Sequence, residues 1–155
     1  MEIVQYDKRY KQDFIDLNTH WITGVFGGLE KEDLETFKHV EDEIAKGGMV
    51  FFAVKNEEVM AACMTRNMGN GTWELCKLAA NPEFRHQGAG KAVFETCMNY
   101  AIKHDAQRLF MISNSRLKAA LHIYEEYGFQ EVKLDDYEYE RGDIAFEYLV
   151  NSDQA

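Results

Sequence analysis

The sequence of 155 residues lacks the patterns typical of disulfide-rich, repetitive and membrane-spanning proteins. It has one proline, three cysteines, no internal repeat and no low-complexity segment. An odd number of cysteines, at spacings that match no zinc or redox motif, argues against a disulfide framework and indicates reduced thiols. The longest apolar runs, residues 49–54 and 59–64, are far too short to span a bilayer.

Positively charged residues are also few. The sequence has 17 Lys and Arg and 27 Asp and Glu, which gives a net charge of -10. Nucleic-acid binding is driven by clustered Lys and Arg, so this balance disfavours a nucleic acid as partner. The first residues lack a basic segment followed by an apolar one, which predicts no signal peptide. We therefore expect a cytoplasmic protein that does not associate with membranes. The acidity is compatible with cationic substrates such as amines.

The apolar content is high enough for a hydrophobic core. Hydrophobic residues make up 46% of the chain and aromatic residues 13%. A chain of this length buries roughly 68–70% of its unfolded surface. The sequence therefore predicts a single domain over residues 1–155.

Hydrophobic periodicity predicts alternating strands and helices. The first half is expected to contain a strand at 2–6, a helix at 9–22 with Phe14, Leu17, His20 and Trp21 on one face, and a helix at 30–46. Asn70-Gly71 is a strong hairpin signal. The remaining expected elements are strands at 49–55, 59–68, 72–80, 108–113, 131–134 and 144–150, and helices at 88–104 and 117–127. The pattern predicts a mixed α/β sheet with helices on both faces and an antiparallel meander in its N-terminal half.

One loop between a strand and a helix carries the clearest chemical signal. It reads Arg85-His86-Gln87-Gly88-Ala89-Gly90 and precedes a long amphipathic helix. A helix start presents unpaired N–H groups and partial positive charge, which favours anions. The glycines allow a phosphate to approach the backbone closely, and Arg85, His86 and Lys91 add positive charge. The loop is therefore predicted to hold a pyrophosphate.

Two familiar phosphate loops do not match this segment. A dinucleotide fingerprint would need a third glycine at Val93, and a P-loop would need Ser or Thr at Ala92. The segment instead fits the signature R/Q-x-x-G-x-G/A. With Trp73 to Phe129 around it, the chain resembles the GNAT superfamily of acyl-CoA-dependent N-acetyltransferases.

The resemblance implies a GNAT-like fold and acetyl-CoA as co-substrate. Two central parallel strands would splay apart to admit the cofactor. No metal is implied, because the histidines show no metal-ligand spacing with nearby Cys, Asp or Glu. A homodimer is compatible with the resemblance, since dimers are common in the family. The residues expected to bind the cofactor are Leu78, Ala79, Ala80, Arg85, His86, Gln87, Gly88, Ala89, Gly90, Lys91 and Asn114.

Glu74 is the candidate general base. It lies eleven positions before Arg85, where family members that use a glutamate on this strand carry it. Strand alternation predicts that Glu74 shares a face with Cys76 and Leu78, and a carboxylate beside apolar groups binds protons more readily. The alternative, left open here, is that Glu74 pairs with a Lys or Arg across the sheet.

Two further roles come from the resemblance. The backbone N–H of Leu78, freed where the family's strand bulges, would stabilise the oxyanion. Tyr124, in Ile123-Tyr124-Glu125-Glu126-Tyr127-Gly128-Phe129, would meet the CoA sulfur and act as acid. Its alternative is a core tyrosine on an apolar stripe with i, i+3, i+4, i+7 spacing.

The chain departs from the family at one position. Many members carry an asparagine seven residues before the tyrosine, where this chain has Leu117, so Asn114 is the substitute candidate for a polar cofactor contact. Cys76 and Cys97 are expected to fill core space rather than carry an acyl group. The acidic run at residues 135–140 is read as a solvated loop or as an attractor for a cationic acceptor.

The sequence thus predicts acetyl transfer from acetyl-CoA to a primary amine, either a small molecule or a protein amine. Direct attack in a ternary complex, with Glu74 as base and Tyr124 as acid, is the expected mechanism. The alternatives are a catalytically silent CoA-binding regulatory or interaction module with the same fold, and a small nucleotide-binding protein.

Overall fold

The computed structural model describes residues 1–135, 137 and 140–150. Seven strands of this part form one mixed sheet in the order β1-β2-β3-β4-β5-β7-β6. They are β1 (Glu2–Gln5), β2 (Met49–Lys55), β3 (Glu58–Gly69), β4 (Thr72–Ala80), β5 (Arg108–Ser113), β6 (Gln130–Val132) and β7 (Ile144–Leu149). The helices are α1 (Lys11–Phe26), α2 (Lys31–Lys38), α3 (Val40–Ala45), α4 (Ala89–Lys103) and α5 (Lys118–Glu126), with short 3₁₀ turns at Lys8–Tyr10 and Pro82–Phe84.

Strands β1 to β4 form the antiparallel meander that the sequence predicts. Its two tight turns consist of residues in left-handed conformations. Asn70 and Gly71 have φ of 55° and 79°, and Asn56 and Glu57 have φ of 50° and 66°. Two consecutive positive φ values are what a type I′ hairpin requires, so both turns match the twist of the strands that they join.

The two central strands β4 and β5 are parallel and diverge from one another. In the described chain they pair over Thr72–Glu74 and Arg108–Phe110, and Glu74 is the last residue of β4 in this register. Strand β5 nevertheless continues its pairing with β7 as far as Ser113. The sheet therefore opens between β4 and β5 beyond Glu74, which confirms the predicted splay and the GNAT-like fold class.

Helices cover both faces of the sheet. One core includes Val93, Phe94 and Cys97 of α4 and Tyr124 of α5. The other includes Phe14 of α1, with residues of α2 and α3. Both cores consist mainly of apolar side chains, so the sheet is buried on its two sides.

The first helix differs from the prediction. It continues through Gly24 and ends at Gly27, which takes the left-handed φ of 88° typical of a C-terminal glycine. Its buried residues are Phe14, Asn18 and Ile22, at i, i+4 and i+8. His20 is exposed and Trp21 is partly buried, so apart from Phe14 the buried stripe lies beside the residues that the sequence analysis places on one face.

The predicted helix at 30–46 is two helices, α2 and α3. The break occurs at His39, whose N–H donates to the carbonyls of Glu35 and Thr36 and whose φ and ψ are no longer helical. Phe37 and Val40, on either side of the break, are both buried. Residues three positions apart share one face of a continuous helix, so this burial does not itself require the break.

The C-terminal half follows the predicted order with shifts of a few residues at the element ends. Gly128 has a φ of 87°, and the N–H of Phe129 donates to the carbonyl of Tyr124 over 3.0 Å. These are the features of a left-handed glycine that ends a helix, and Gly128 is therefore the glycine stop after α5. Among the described residues, no helix has the length and apolar character needed to cross a membrane. Asp136 and Glu138 of the predicted acidic run lie outside the described residues.

Candidate active site

Strand β4 contains a bulge just beyond Glu74. Met64 of β3 lies opposite Cys76, but Ala62 lies opposite Ala79, so β4 has one more residue than its partner. Lys77 adopts a left-handed φ of 55° within this segment. An extra residue interrupts the ladder of hydrogen bonds and rotates the side chains that follow.

The bulge changes which side chains share a face. Cys76 packs with the core on the α1 side, whereas Leu78 packs with the core on the α4 side. The prediction that Glu74, Cys76 and Leu78 share one face is therefore wrong for Leu78. Simple alternation fails because it requires every residue to be extended, whereas Lys77 has a left-handed φ.

A buried ion cluster fixes the bulge against α2. Lys77 Nζ lies 2.5 Å from Asp33 Oδ1, and Arg141 donates to both carboxylate oxygens of Asp33 over 2.6 Å each. The Arg141 guanidinium also contacts Glu30 at 3.1 Å. The Asp33 side chain is fully buried, and burial alone would raise its pKa, but Arg141 and Lys77 together lower it to about 2. The cluster thus joins α2, β4 and the segment before β7.

A cavity of about 250 Å³ lies along β4, beside the opening between the strands. It brings together residues of α1, β4, β5, α5 and the segment before β7. The predicted site residues among those that line it are Glu74, Leu78, Ala80, Gly90, Asn114 and Tyr124. Glu74 and Ala80 are six residues apart on β4, which corresponds to roughly 20 Å of extended strand. The cavity is therefore elongated. The loop of residues 85–90, called the glycine loop below, lies near one end of it.

Glu74 is 2% exposed and forms an ion pair across the sheet. Arg66 Nη1 donates to Glu74 Oε1 over 2.8 Å, and Arg66 Nη2 lies 3.4 Å from Glu43. Burial would lower the pKa of Arg66, but the carboxylates of Glu74 and Glu43 outweigh it and raise that pKa. The pairing considered in the sequence analysis is present, and the same carboxylate lines the cavity.

Tyr124 is 8% exposed and lies between Phe94 and Phe146, with ring centroids 5.5 and 5.6 Å away. Burial raises the pKa of its phenol, and Ser113 opposes this by a side-chain hydrogen bond. The phenol is protonated at neutral pH. Tyr124 is both a core residue and a residue of the cavity wall.

The glycine loop is exposed and ends at the first turn of α4. Arg85, His86 and Gln87 are exposed, and His86 and Gly88 have φ of 63° and 77°. Gly88 is the N-cap of α4 and is followed by the buried Ala89. Left-handed residues next to a helix start turn backbone N–H groups toward a common concavity, which is a usual way to bind an anion.

Two predicted cofactor residues are engaged within the protein. Lys91 Nζ forms an ion pair with Glu126 of α5 at 2.8 Å. The Asn114 amide donates to the carbonyl of Arg141 and accepts from the N–H of Arg116. Contacts of Lys91 and Asn114 with a cofactor therefore stay predictions.

Comparison with known protein families identifies the family of this chain. The family model described as Acetyltransferase (GNAT) family matches residues 12–129. The chain belongs to this family. The match runs from α1 to Phe129, after α5, and includes all of the described cavity-lining residues except Arg141 and Gly142. No match to the sequence is found among curated proteins.

Solved structures show the same fold at low identity. An acetyltransferase of the GNAT family from Staphylococcus aureus is 16% identical, with 97% of this chain and 99% of that chain covered and a TM-score of 0.87. The PaiA N-acetyltransferase of Thermoplasma acidophilum, in complex with coenzyme A, is 14% identical, with 97% and 100% covered and a TM-score of 0.74. A GNAT-superfamily phosphinothricin acetyltransferase from Sinorhizobium meliloti, in complex with acetyl-CoA, is 10% identical, with 96% and 88% covered and a TM-score of 0.76.

Sequence reasoning missed most of the charged residues around the GNAT cavity. Arg66, Asp33 and Arg141 were not singled out, although each forms buried or partly buried ion pairs. The Asn70-Gly71 hairpin alone would place Asn67 opposite Glu74, but a register shift between Asn67 and Gly69 places Arg66 there instead, so the turn motif does not reveal this pair. No local pattern links Asp33 to Arg141, which is 108 residues away.

Proposed function

We propose that this protein transfers an acetyl group from acetyl-CoA to a primary amine by direct attack of the amine on the thioester. The observation that carries the proposal is the shared cavity. A buried carboxylate, a bulged strand and a buried phenol line one elongated space. Two family members of similar fold bind coenzyme A or acetyl-CoA, which supports the choice of cofactor.

The cofactor's pyrophosphate would lie on the glycine loop. The backbone N–H groups of Gly88, Ala89 and Gly90 at the start of α4 are the expected donors, with Arg85, His86, Gln87 and Lys91 nearby. Gly90 lies beside Ala80, since a Cβ at Gly90 would be 3.9 Å from Ala80 Cβ. The pantetheine arm would pass Ala80 and Ala79 and enter the opening between β4 and β5.

The reaction needs a base, an oxyanion donor and an acid. Glu74 would accept a proton from the acceptor ammonium, directly or through a water, and the neutral amine would then attack the thioester carbonyl. The N–H of Leu78 would donate to the oxyanion of the tetrahedral intermediate. As the C–S bond breaks, Tyr124 would give its proton to the departing thiolate, and the cationic nitrogen would lose its second proton to water to give the amide.

The ion pair with Arg66 affects the ionisation of Glu74. Its guanidinium favours the ionised carboxylate, the form that can accept a proton, whereas burial opposes ionisation. An ionised Glu74 also attracts the acceptor ammonium into the cavity. Glu74 would therefore start the reaction as a carboxylate, and Arg66 would hold it in position.

The surroundings of Cys76 favour direct transfer over a covalent acyl-enzyme. Cys76 lines the cavity, but burial and the neighbouring Glu74 raise the pKa of its thiol well above the ordinary value. A protonated thiol is a poor nucleophile. The amine is then the group that attacks the thioester.

The test is thiol release from acetyl-CoA across a broad set of primary amines, with a separate titration of acetyl-CoA by calorimetry. Amine-dependent thiol release supports the proposal. Binding of acetyl-CoA without turnover on any amine would favour the regulatory module. Greater thermal stabilisation by ATP or NAD than by acetyl-CoA would favour the nucleotide-binding alternative.

The substitution Tyr124→Phe is expected to lower kcat by about 100-fold, the low end for acid–base catalysis because a thiolate is a good leaving group. Steady-state kinetics on the best amine measure the effect. Tyr127→Phe is the matched control, because Tyr127 follows the same helix but its hydroxyl contacts Glu95 instead. Equal activity of the two variants would show that Tyr124 is a packing residue.

The substitution Gly88→Ala is expected to weaken acetyl-CoA binding by about tenfold, or ~1.4 kcal/mol. A Cβ at Gly88 meets no atom within 4 Å, but the φ of 77° is costly for an alanine. The free loop would relax to another conformation and would have to return on binding. Calorimetric titration measures the change, with Gly24→Ala, within α1, as control. Unchanged affinity in Gly88→Ala would argue against the pyrophosphate position.

A further inference from the structure

Part of the cavity wall is aromatic. Trp21 and Phe26 of α1 line it, together with Arg141 and Gly142. Glu74 lies about six residues along β4 from Ala80, the end beside the glycine loop. If acetyl-CoA enters by the glycine loop, the part of the cavity left for the acceptor includes this aromatic wall and Glu74.

The aromatic wall is held in place by its neighbours. The Trp21 indole N–H donates to Asn18 Oδ1 over 3.0 Å, and the fully buried Asn18 donates in turn to the carbonyl of Phe14. The Phe26 ring packs edge-on against Trp21 at 6.2 Å between centroids. A preorganised aromatic surface gains binding free energy from an apolar partner with little loss of side-chain entropy.

Guanidinium groups flank the same wall. The Arg116 guanidinium lies 4.8 Å from the Phe26 ring centroid, and the Arg141 guanidinium lies 5.8 Å from it. The charge of Arg141 is compensated by Glu30 and Asp33, so the Phe26 ring offers an acceptor an apolar surface. A second charged group on the acceptor, of either sign, would lose its hydration against this surface.

The described residues that line the cavity include three charged ones, Glu74, Lys77 and Arg141. The nearby carboxylate of Asp33 is fully buried and already bonds Lys77 and Arg141. Glu74 is the acidic side chain that an acceptor ammonium can reach from the cavity. A second ammonium would lose its water without gaining a carboxylate, which is costly.

We infer that the acceptor is a primary monoamine with a compact, uncharged apolar body, and not a polyamine or a polycationic sugar. The inference rests on the proposed function, since it assigns the acceptor of that same cavity. The amine approaches Glu74, and the apolar body packs against Trp21 and Phe26. The negative net charge of the protein does not by itself make it prefer polycationic acceptors, because the residues of the cavity wall determine which acceptor binds.

A matched trio of amines tests the inference. Hexylamine, 1,6-diaminohexane and 6-aminohexanoate share one reactive amine and a similar chain but end in a methyl group, an ammonium and a carboxylate. We expect kcat/KM for hexylamine to exceed that of each charged analogue by at least tenfold. A smaller preference, or a reversed one, overturns the inference.

Two variants connect the preference to the wall. Trp21→Ala should reduce kcat/KM for hexylamine about tenfold while the affinity for acetyl-CoA stays unchanged, because the indole contributes apolar contact area. Trp21→Phe keeps a ring and should show a smaller loss. Val25→Ala is the control, since Val25 is 41% exposed on the same helix. An unchanged preference in Trp21→Ala would overturn the role of the wall.

Calorimetry of the same trio against the CoA-loaded protein separates this inference from the proposed function. Turnover without an apolar preference would leave the function standing and overturn the acceptor class. Tighter binding of hexylamine without any turnover would support the acceptor class and contradict the function. Equal binding of all three amines would overturn the inference even in an inactive protein.

Discussion

Replacing Glu74 with Gln is expected to lower kcat by about 100- to 10,000-fold, the range for loss of a general base. Glutamine has the size of glutamate but cannot accept the proton of the acceptor ammonium. It also removes the only acidic side chain among the described residues of the cavity wall. Thiol release at saturating acetyl-CoA measures kcat, and calorimetry should show little change in acetyl-CoA affinity.

The control for this variant is Glu43→Gln, because Arg66 contacts the carboxylates of both Glu74 and Glu43. Glu43→Gln removes the more distant partner, at 3.4 Å, and leaves the cavity wall intact. It should retain most of the activity. If Glu74→Gln is as active as Glu43→Gln, Glu74 acts only as an ion-pair partner and another group takes the proton. Melting temperatures of both variants separate loss of fold from loss of chemistry.

The substitution Asp33→Asn is expected to lower the free energy of unfolding by about 3 kcal/mol at neutral pH, the scale for breaking a buried ion pair. The change leaves Lys77 and Arg141 buried without the carboxylate that both contact. Urea denaturation measures the loss. Glu35→Gln on the same helix removes an exposed partner of His39 and should cost less than about 1 kcal/mol.

The effect of Asp33→Asn should depend on pH in a defined direction. The pKa of Asp33 falls from its ordinary value of 3.8 to about 2 in the folded protein. A group whose folded pKa is depressed stabilises the fold above its unfolded pKa, and this contribution is lost as the pH falls through the folded pKa. The stability difference between the parent and the variant should therefore be constant above about pH 5 and shrink toward pH 2. A difference that grows on acidification would contradict the ion cluster.

The fold was largely predictable because its signals are local. Asn70-Gly71 defines a hairpin, and Gly128 defines a helix end, through φ values that few other residues adopt. The break at His39 was not predictable in this way. No glycine or proline marks it, and the hydrophobic pattern of residues 30–46 continues through it.

The candidate site was predictable only in part. The positions of Glu74 and Tyr124 follow from the motif order, and both side chains line one cavity. Asp33 reads as a solvated residue in a charged helix because nothing near it in the sequence distinguishes it. Its partners Lys77 and Arg141 are 44 and 108 residues away, so the tertiary fold alone reveals the cluster.

The divergence of β4 and β5 has a consequence for shape. Because the strands separate beyond Glu74, the space between them is a wedge whose vertex lies beside that carboxylate. A molecule inside the wedge can place only a slender end near the vertex, while its bulk must remain toward Ala80. Steric fit alone would then orient a ligand lengthwise before any polar contact forms.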